Sequence, residues 1–478
     1  MSRSEAAPNA PLPPTRSDPR PYRVEVGDSG DLRVDGVSAE QTVRLFVDGE
    51  AIGGTLGTLL PAPCADLVDV AMAVYASDRL CPRRATTGGA GVAPPRSIHL
   101  TLPLREPARW EGQLNLSLCE ALGHLTSDTW AISFRSKTPL GQQGQLFARH
   151  PQGPVDVALF SGGLDSLAGA VRTLESDASR GVILVGASSS TRMQQRQSSL
   201  LDALTERYRE RLLPLVVRFG IRRPGSGRHR DEPTQRARNF AYTALGAAAA
   251  ISAGYSSLDV FENGIGALNL PYSRVQRGAA QTRGSHPRSL KALGELFSLA
   301  TGSSFRLRLP NLFVTKAEMC EALRADWARV LVAKTVSCDS FPLRSSEASQ
   351  CGTCTSCLLR RQALANAGLR WDDATGDYLH DIFDPDDDVP ASTEPHLGAV
   401  LAQVADMEAD LAGSDPLGRL VRRYPGLAEA VASHGADMTP AAVRDAYVAL
   451  IRRHCAEWRA ISGRIPATSR RARAQLRP

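Results

Sequence analysis

The sequence predicts an α/β protein: a doubly wound parallel sheet flanked by an N-terminal α+β domain and a C-terminal helical region. Three observations predict it. Between residues 151 and 371, short apolar runs alternate with stretches of helical length, as strands and crossover helices do in an open parallel sheet. The first of these runs leads through a Gly-Gly turn into a helix, at the strand end where such sheets hold ligands. The same stretch closes on four cysteines, Cys338, Cys351, Cys354 and Cys357, a spacing that points to a metal.

The chain has 478 residues, enough for about three domains. At 42% hydrophobic and 22% charged residues it has the make-up of a folded globular protein, which excludes wholesale disorder. Its longest nearly uncharged stretch, Tyr242 to Tyr255, is too short and too rich in small residues for a membrane span. The opening MSRSEAAPNAPLPP lacks the apolar core of a secretory signal. The formal charge of +6 argues little for a nucleic-acid substrate, because only four of the 56 basic residues are lysine. Those four gain interest, since arginine does not replace a compact ammonium at every phosphate. Nine cysteines, an odd number with four of them within twenty residues of a large chain, do not resemble a secreted disulfide framework, so a cytoplasmic protein is expected.

In chain order, residues 1–20 carry no periodicity and read as a disordered tail. The N-terminal domain, 21–150, holds strand-like YRVEV and VRLFVD around a Gly/Asp turn region. LVDVAMAVYASDRL then has helical spacing, and RSIHLTLPL and TWAISFRS return to strand character. In the central domain VDVALF, GVILVGAS, PLVVRFG and SLDVFE are the strands, with QRQSSLLDALTERYRERL and QRARNFAYTALGAAAAISAG among the helices. Residues 372–392 read as an acidic linker and 393–465 as a helical domain. Leu397, Val400, Leu401, Val404, Met407 and Leu411 form one apolar stripe there, and Val443, Tyr447, Leu450, Ile451 and Trp458 another. Thr439 and Pro440 make an N-cap and first-turn pair for the last helix, and 466–478 is a basic tail.

SGGLDS carries the most chemistry. Ser161, Gly162, Gly163, Leu164, Asp165 and Ser166 follow an apolar strand and open a helix. Two glycines bring bare amides against a ligand, and the helix end adds positive dipole, so the turn suits a pyrophosphate. The serines can donate hydroxyl hydrogen bonds, and Asp165 suits a Mg2+ ion or a helix cap. No Gly-Lys-Ser/Thr follows, so it is not a Walker A loop. The turn resembles the PP-loop of ATP pyrophosphatases, which implies cleavage of ATP between the α- and β-phosphates and adenylation of a substrate oxygen.

Cys338, Cys351, Cys354 and Cys357 offer four soft ligands, two pairs of them at two-residue gaps, and so suit a tetrahedral, closed, structural zinc. A PP-loop followed by TVSCDS and CGTCTSCLLRR resembles the QueC family, the 7-cyano-7-deazaguanine synthases, over about 153–371. RARNF and NLFVTKAEM resemble further segments of that family. The stretch ENGIGALNLPYSRVQRGAAQTRGSHP does not resemble the synthases' base-binding loop, and the synthases lack both flanking regions. These departures, with VYASDR and LTSDTWAISF, resemble the longer QueC-like proteins of bacterial anti-phage operons, the QatC type and its relative in type IV CBASS. That resemblance implies adenylation of 7-carboxy-7-deazaguanine and its ligation through an amide to the N-terminal amine of a partner protein, a glycine expected. The cofactors implied are ATP, Mg2+ and structural zinc.

Single residues keep two readings each. Lys316 is expected to stabilise charge at the adenylate and, with Asp165, to be catalytic; Lys334 is a second choice. Arg238 and Asn239 open a helix and are expected at ATP, against the plainer reading of a surface arginine. Glu262, Asn263 and Gly264 follow the fourth strand, where a purine or its carboxylate is read or where a turn simply carries a polar cap. His286 is a substrate contact or a merely hydrogen-bonded histidine. The competing functions are a nitrile synthase with accessory domains, a PP-loop tRNA-modifying enzyme using Cys320, and a non-enzymatic zinc module.

Overall fold

The computed structural model describes residues 21–36, 41–83, 94–138, 151, 153–223, 231–232, 236–272, 282–339, 341, 343, 348–373, 377–384, 394–434 and 438–463. The expected tails, 1–20 and 466–478, and the acidic 385–390 lie outside them.

Among the described residues ten strands form one sheet, mostly parallel: β1 (Tyr22–Val26), β2 (Asp31–Asp35), β3 (Gln41–Val47), β4 (Ser97–Leu104), β5 (Thr129–Ser136), β6 (Val155–Leu159), β7 (Gly181–Ser188), β8 (Leu212–Arg222), β9 (Ser257–Val260) and β10 (Arg306–Arg308). Their order is β10-β9-β6-β7-β8-β3-β2-β1-β4-β5. From β10 to β8 every pairing is parallel. β7 is buried at all eight positions, as a strand covered on both faces must be. Helices α4 (Leu164–Ser176), α5 (Thr191–Tyr208), α6 (Arg238–Ser252) and α8 (Pro287–Thr301) supply the crossovers.

The expected boundary near residue 150 falls inside this sheet. β3 pairs antiparallel with β8, setting Leu45 opposite Ile221 and Phe46 opposite Gly220. The N-terminal strands therefore extend the central sheet instead of closing a sheet of their own. β1 and β2 alternate buried and exposed residues because one face alone is covered. α2 (Ala62–Leu80) lies against α6, and Leu67, Val70, Ala71 and Val74 share one core with Ala244, Ala247 and Ala248. That close contact explains the small, uncharged stretch from Tyr242 onward. The short helices α1 (Gly49–Leu56) and α3 (Gln113–Thr126), like β2 and β10, were not anticipated.

α7 (Gly264–Leu268) lies between β9 and α8, and beyond β10 come α9 (Lys316–Cys320), α10 (Asp326–Val332) and α11 (Thr355–Asn366). The C-terminal helices are α12 (Glu394–Leu411), α13 (Pro416–Arg423), α14 (Pro425–Ser433) and α15 (Pro440–Ser462). Both expected apolar stripes, with Leu411 half-buried at the end of the first, belong to one core that also takes Ile265, Leu268 and Leu358, so this bundle packs on the central unit. The Thr439 side chain caps α15 as expected. Described residues of the expected linker are packed: Asp373 is bonded to buried Arg360, and Tyr378 and Phe383 are buried. No helix among the described residues is long and apolar enough to cross a membrane.

Candidate functional site

Gly162 sits at φ +79°, left-handed backbone that glycine alone adopts cheaply, and turns the chain from β6 into α4. Ser161 Oγ accepts from the Gly163 amide at 3.2 Å, and Ser166 Oγ donates to the Gly163 carbonyl at 2.9 Å. Beneath the turn, fully buried Gln197 places its amide nitrogen 3.2 Å from the carbonyls of Phe160, Ser161 and Ala187. Sequence reasoning missed Gln197. Its signal was a polar residue on the apolar stripe of α5 with Leu200, Leu201 and Leu204.

A cavity of about 460 Å³ opens at this turn. Ser161, Gly163, Leu164 and Asp165 line it from the end of β6, and Glu262 and Asn263 from the end of β9. β6 and β9 are neighbours, with β7 and β8 on one side and β10 on the other, so the cavity marks the switch point of the sheet. Arg238 and Asn239 line it from α6, and Gln403 and Met407 from α12.

At its base Lys316 Nζ donates to Asp165 Oδ2 at 2.5 Å, across 151 residues of sequence. Asn263 Nδ2 donates to Glu262 Oε1 at 3.0 Å and lies 3.4 Å from Asp165 Oδ1. Burial drives the Lys316 ammonium down, but Asp165 and Glu262 outweigh it and hold the group above its ordinary value. Burial first, and then Asp165, push the Glu262 carboxyl up to about 8. One ammonium thus serves two acids, and burial favours the protonated form of Glu262. Such a cluster can present a positive group to phosphate oxygens without carrying surplus negative charge against them.

A capping box aims Lys316. Thr315 Oγ1 accepts from the Glu318 amide at 3.2 Å, and Glu318 Oε2 accepts from the Thr315 amide at 2.8 Å. α15 locks this box. Glu457 accepts from Thr315 Oγ1 and, at 3.0 Å, from Gln362 Nε2 of α11. Arg453 pairs with Glu318 at 2.8 Å and donates to the Phe313 carbonyl at 2.7 Å. No local signal marked Glu457, which stands beside the apolar stripe of its helix.

The other expected residues divide. Arg238 is exposed and lies 5.8 Å over the Tyr242 ring, and the Asn239 amide donates to the Gly284 carbonyl. Asn263 caps α7, accepting from the Gly266 amide at 2.9 Å, so the polar-cap reading holds while its amide reaches the acids. Gly264 does not line the cavity; its amide donates to Val314, and a side chain there would strike the Leu312 carbonyl. His286 does not line it either. Pro287 in the first turn makes His286 the N-cap of α8, and its other ring nitrogen lies 3.1 Å from the Gly426 carbonyl. Cys320 is buried, and burial pushes its thiol up to about 12, the reverse of a thiolase nucleophile.

The four cysteines meet. Their sulfurs all lie within 4.8 Å of one another, and Cys351 and Cys357 are 3.9 Å apart. A tetrahedral zinc with bonds near 2.3 Å sets its sulfurs about 3.8 Å apart, so the donor set fits. Gly352 makes the knuckle at φ +79°, with the His380 carbonyl where a Cβ would stand. The Cys354 amide points at Cys351 Sγ at 3.3 Å, and Cys354 and Cys357 open α11. Fully buried Arg360 ties this unit down through Asp373 at 2.9 Å, Thr335 at 2.7 Å and the Val332 carbonyl at 2.9 Å.

Residues 283–368 match the family described as Queuosine biosynthesis protein QueC. The matched stretch contains Lys316 with its capping box, the four cysteines and Arg360, and leaves the 161–166 turn outside. No curated protein matches the chain.

Proposed function

We propose that this chain is a QueC-like, ATP-using enzyme that adenylates 7-carboxy-7-deazaguanine and joins the deazaguanine through an amide to the N-terminal amine of a partner protein, in anti-phage defence. The QueC match supports an ATP-dependent enzyme of deazaguanine chemistry. The observation that carries the reading is the Lys316–Asp165 pair, at 2.5 Å, set beside SGGLDS in a cavity at the strand ends.

In this reading the turn amides and the end of α4 take the phosphates of ATP, which arrives with Mg2+, and Lys316 neutralises charge that grows on the phosphates. A substrate carboxylate oxygen attacks the α-phosphorus, the bond to the bridging oxygen breaks, and pyrophosphate leaves. The amine then attacks the acyl carbon, AMP leaves, and the amine proton passes to solvent. An α-amino group, with pKa about 7.7–8.0, supplies the free base far better than lysine at about 10.4. Cys338, Cys351, Cys354 and Cys357 would hold a structural zinc that fixes α11 and takes no part in the steps.

The test is product analysis with ATP, the carboxylated base and a co-expressed candidate partner. Pyrophosphate and AMP are expected, with one deazaguanine adduct on the partner's first residue by intact mass. Ser161→Ala or Asp165→Ala should abolish turnover. Orthophosphate in place of pyrophosphate refutes the chemistry. Free nitrile formed with ammonia, on an unmodified partner, makes the chain an elaborated synthase.

A further inference from the structure

The residues just before α6 bring a further cation to the cavity, beside Lys316 and Arg238. Arg236 is 6% exposed and lines the same cavity as Asp165 and Lys316. Among the described residues its guanidinium makes one hydrogen bond, from Nη1 to the Thr126 carbonyl at 2.9 Å. No carboxylate of the described residues forms an ion pair with it.

Its neighbours show how arginines are satisfied there. Arg96 spans Asp78 at 2.5 Å and Asp128 at 2.6 Å, and Arg83 takes Asp128 at 2.7 Å. The second oxygen of Asp78 accepts from the Ala237 amide at 2.9 Å. Both aspartates are thus committed to the other two arginines and the backbone. Asp128 and Asp78 outweigh burial and hold Arg96 above its ordinary value. For Arg236 burial, and then Arg83, prevail and push the guanidinium down to about 10. The donors of Arg236 that make no hydrogen bond are not sealed in the core, and the residue lines the cavity, so they are open to a ligand. A planar fork of N–H groups is matched by the paired oxygens of a carboxylate or phosphate.

We infer that Arg236 is an oxyanion subsite of this cavity, taking a pair of carboxylate or phosphate oxygens from the bound substrates, with the N-terminal region holding it in place through Thr126. Arg236 stands in the RARNF string, two residues before the Arg238 expected at ATP. The subsite stands on the geometry; the choice between the two anions rests on the function proposed above.

Full-length Arg236→Gln and Arg236→Lys proteins are compared with the parent by calorimetric titration. The probes are magnesium ATP, inorganic pyrophosphate, 7-carboxy-7-deazaguanine and its uncharged counterpart 7-cyano-7-deazaguanine. Arg236→Gln is expected to weaken at least one anionic probe by about 10- to 100-fold and to leave the nitrile unchanged. Loss on ATP and pyrophosphate assigns the subsite to the nucleotide, and loss confined to the carboxylated base assigns it to the acceptor. Arg236→Lys keeps the charge without the fork, and about a 3- to 10-fold loss is expected of it. It also decides the matter if the glutamine variant does not fold. Unchanged affinity for all three anions in a folded variant overturns the subsite. A parent that binds no ATP refutes the proposed function, while the carboxylate and pyrophosphate titrations still decide Arg236.

Discussion

The cysteine knot and the Lys316 cluster are built on opposite plans. The knot draws its ligands from Cys338 to Cys357, and its shape comes from a glycine knuckle and the first turn of α11. The Lys316 cluster joins side chains 151 residues apart, held by a capping box that α15 fastens from the C-terminal bundle. A local site is as strong as its own bonds. An assembled site is as good as the packing that aims it, so it is more exposed to distant change.

Loss of one thiolate tests the local plan and should have the largest effect. Cys351→Ser is expected to lower metal content from one zinc per chain and to cost several kcal/mol, seen as a lower midpoint in urea. A metal-free protein with the parent's midpoint would make the knot a thiol cluster. Lys316→Ala should reduce kcat by about 100- to 1,000-fold in pyrophosphate release. It should also lower stability, since half-buried Asp165 loses its cation. Lys316→Arg keeps the charge, and a rate near the parent's would show that charge alone suffices.

Glu457→Gln tests whether α15 aims the lysine. Glutamine can still accept from Thr315 but loses the charge, and about 1–3 kcal/mol of stability and a fall in kcat at constant KM are expected. A variant with parental kcat and lower stability would make Glu457 mere packing. The smallest effect is in pH. Glu262 is raised from 4.5 to about 8, so the folded state holds a proton that the unfolded chain releases. Its stabilising contribution is complete below about 4.5 and is lost as pH rises toward 8. Glu262→Gln should flatten that slope and remove a step near pH 8 from the rate profile.

Legibility followed the range of the interaction. The strands β6 to β9 were readable because each is a short apolar run ended by glycine or polar residues. β10, three residues with arginine at both ends, gives no such run. β2 was hidden because its alternation covers five residues inside a region rich in turn formers. His286 kept two readings, and Pro287 beside it favours the plainer one, an N-cap, which is what the structure shows. VYASDR and LTSDTWAISF were noticed as strings, but only the fold shows that their Asp78 and Asp128 neutralise Arg96.

By itself the sequence determined the four-cysteine cluster, the SGGLDS turn at a strand end, and the two apolar stripes of the C-terminal helices. Each depends on spacing within one or two turns of chain, where backbone geometry leaves few outcomes. Only the tertiary structure decided that the N-terminal strands join the central sheet, that α15 bonds the capping box before Lys316, and that Arg236 has no carboxylate partner among the described residues. Edge pairing and the division of acids among arginines depend on which groups are buried together. Burial is a property of the assembled chain, and no period along the sequence encodes it.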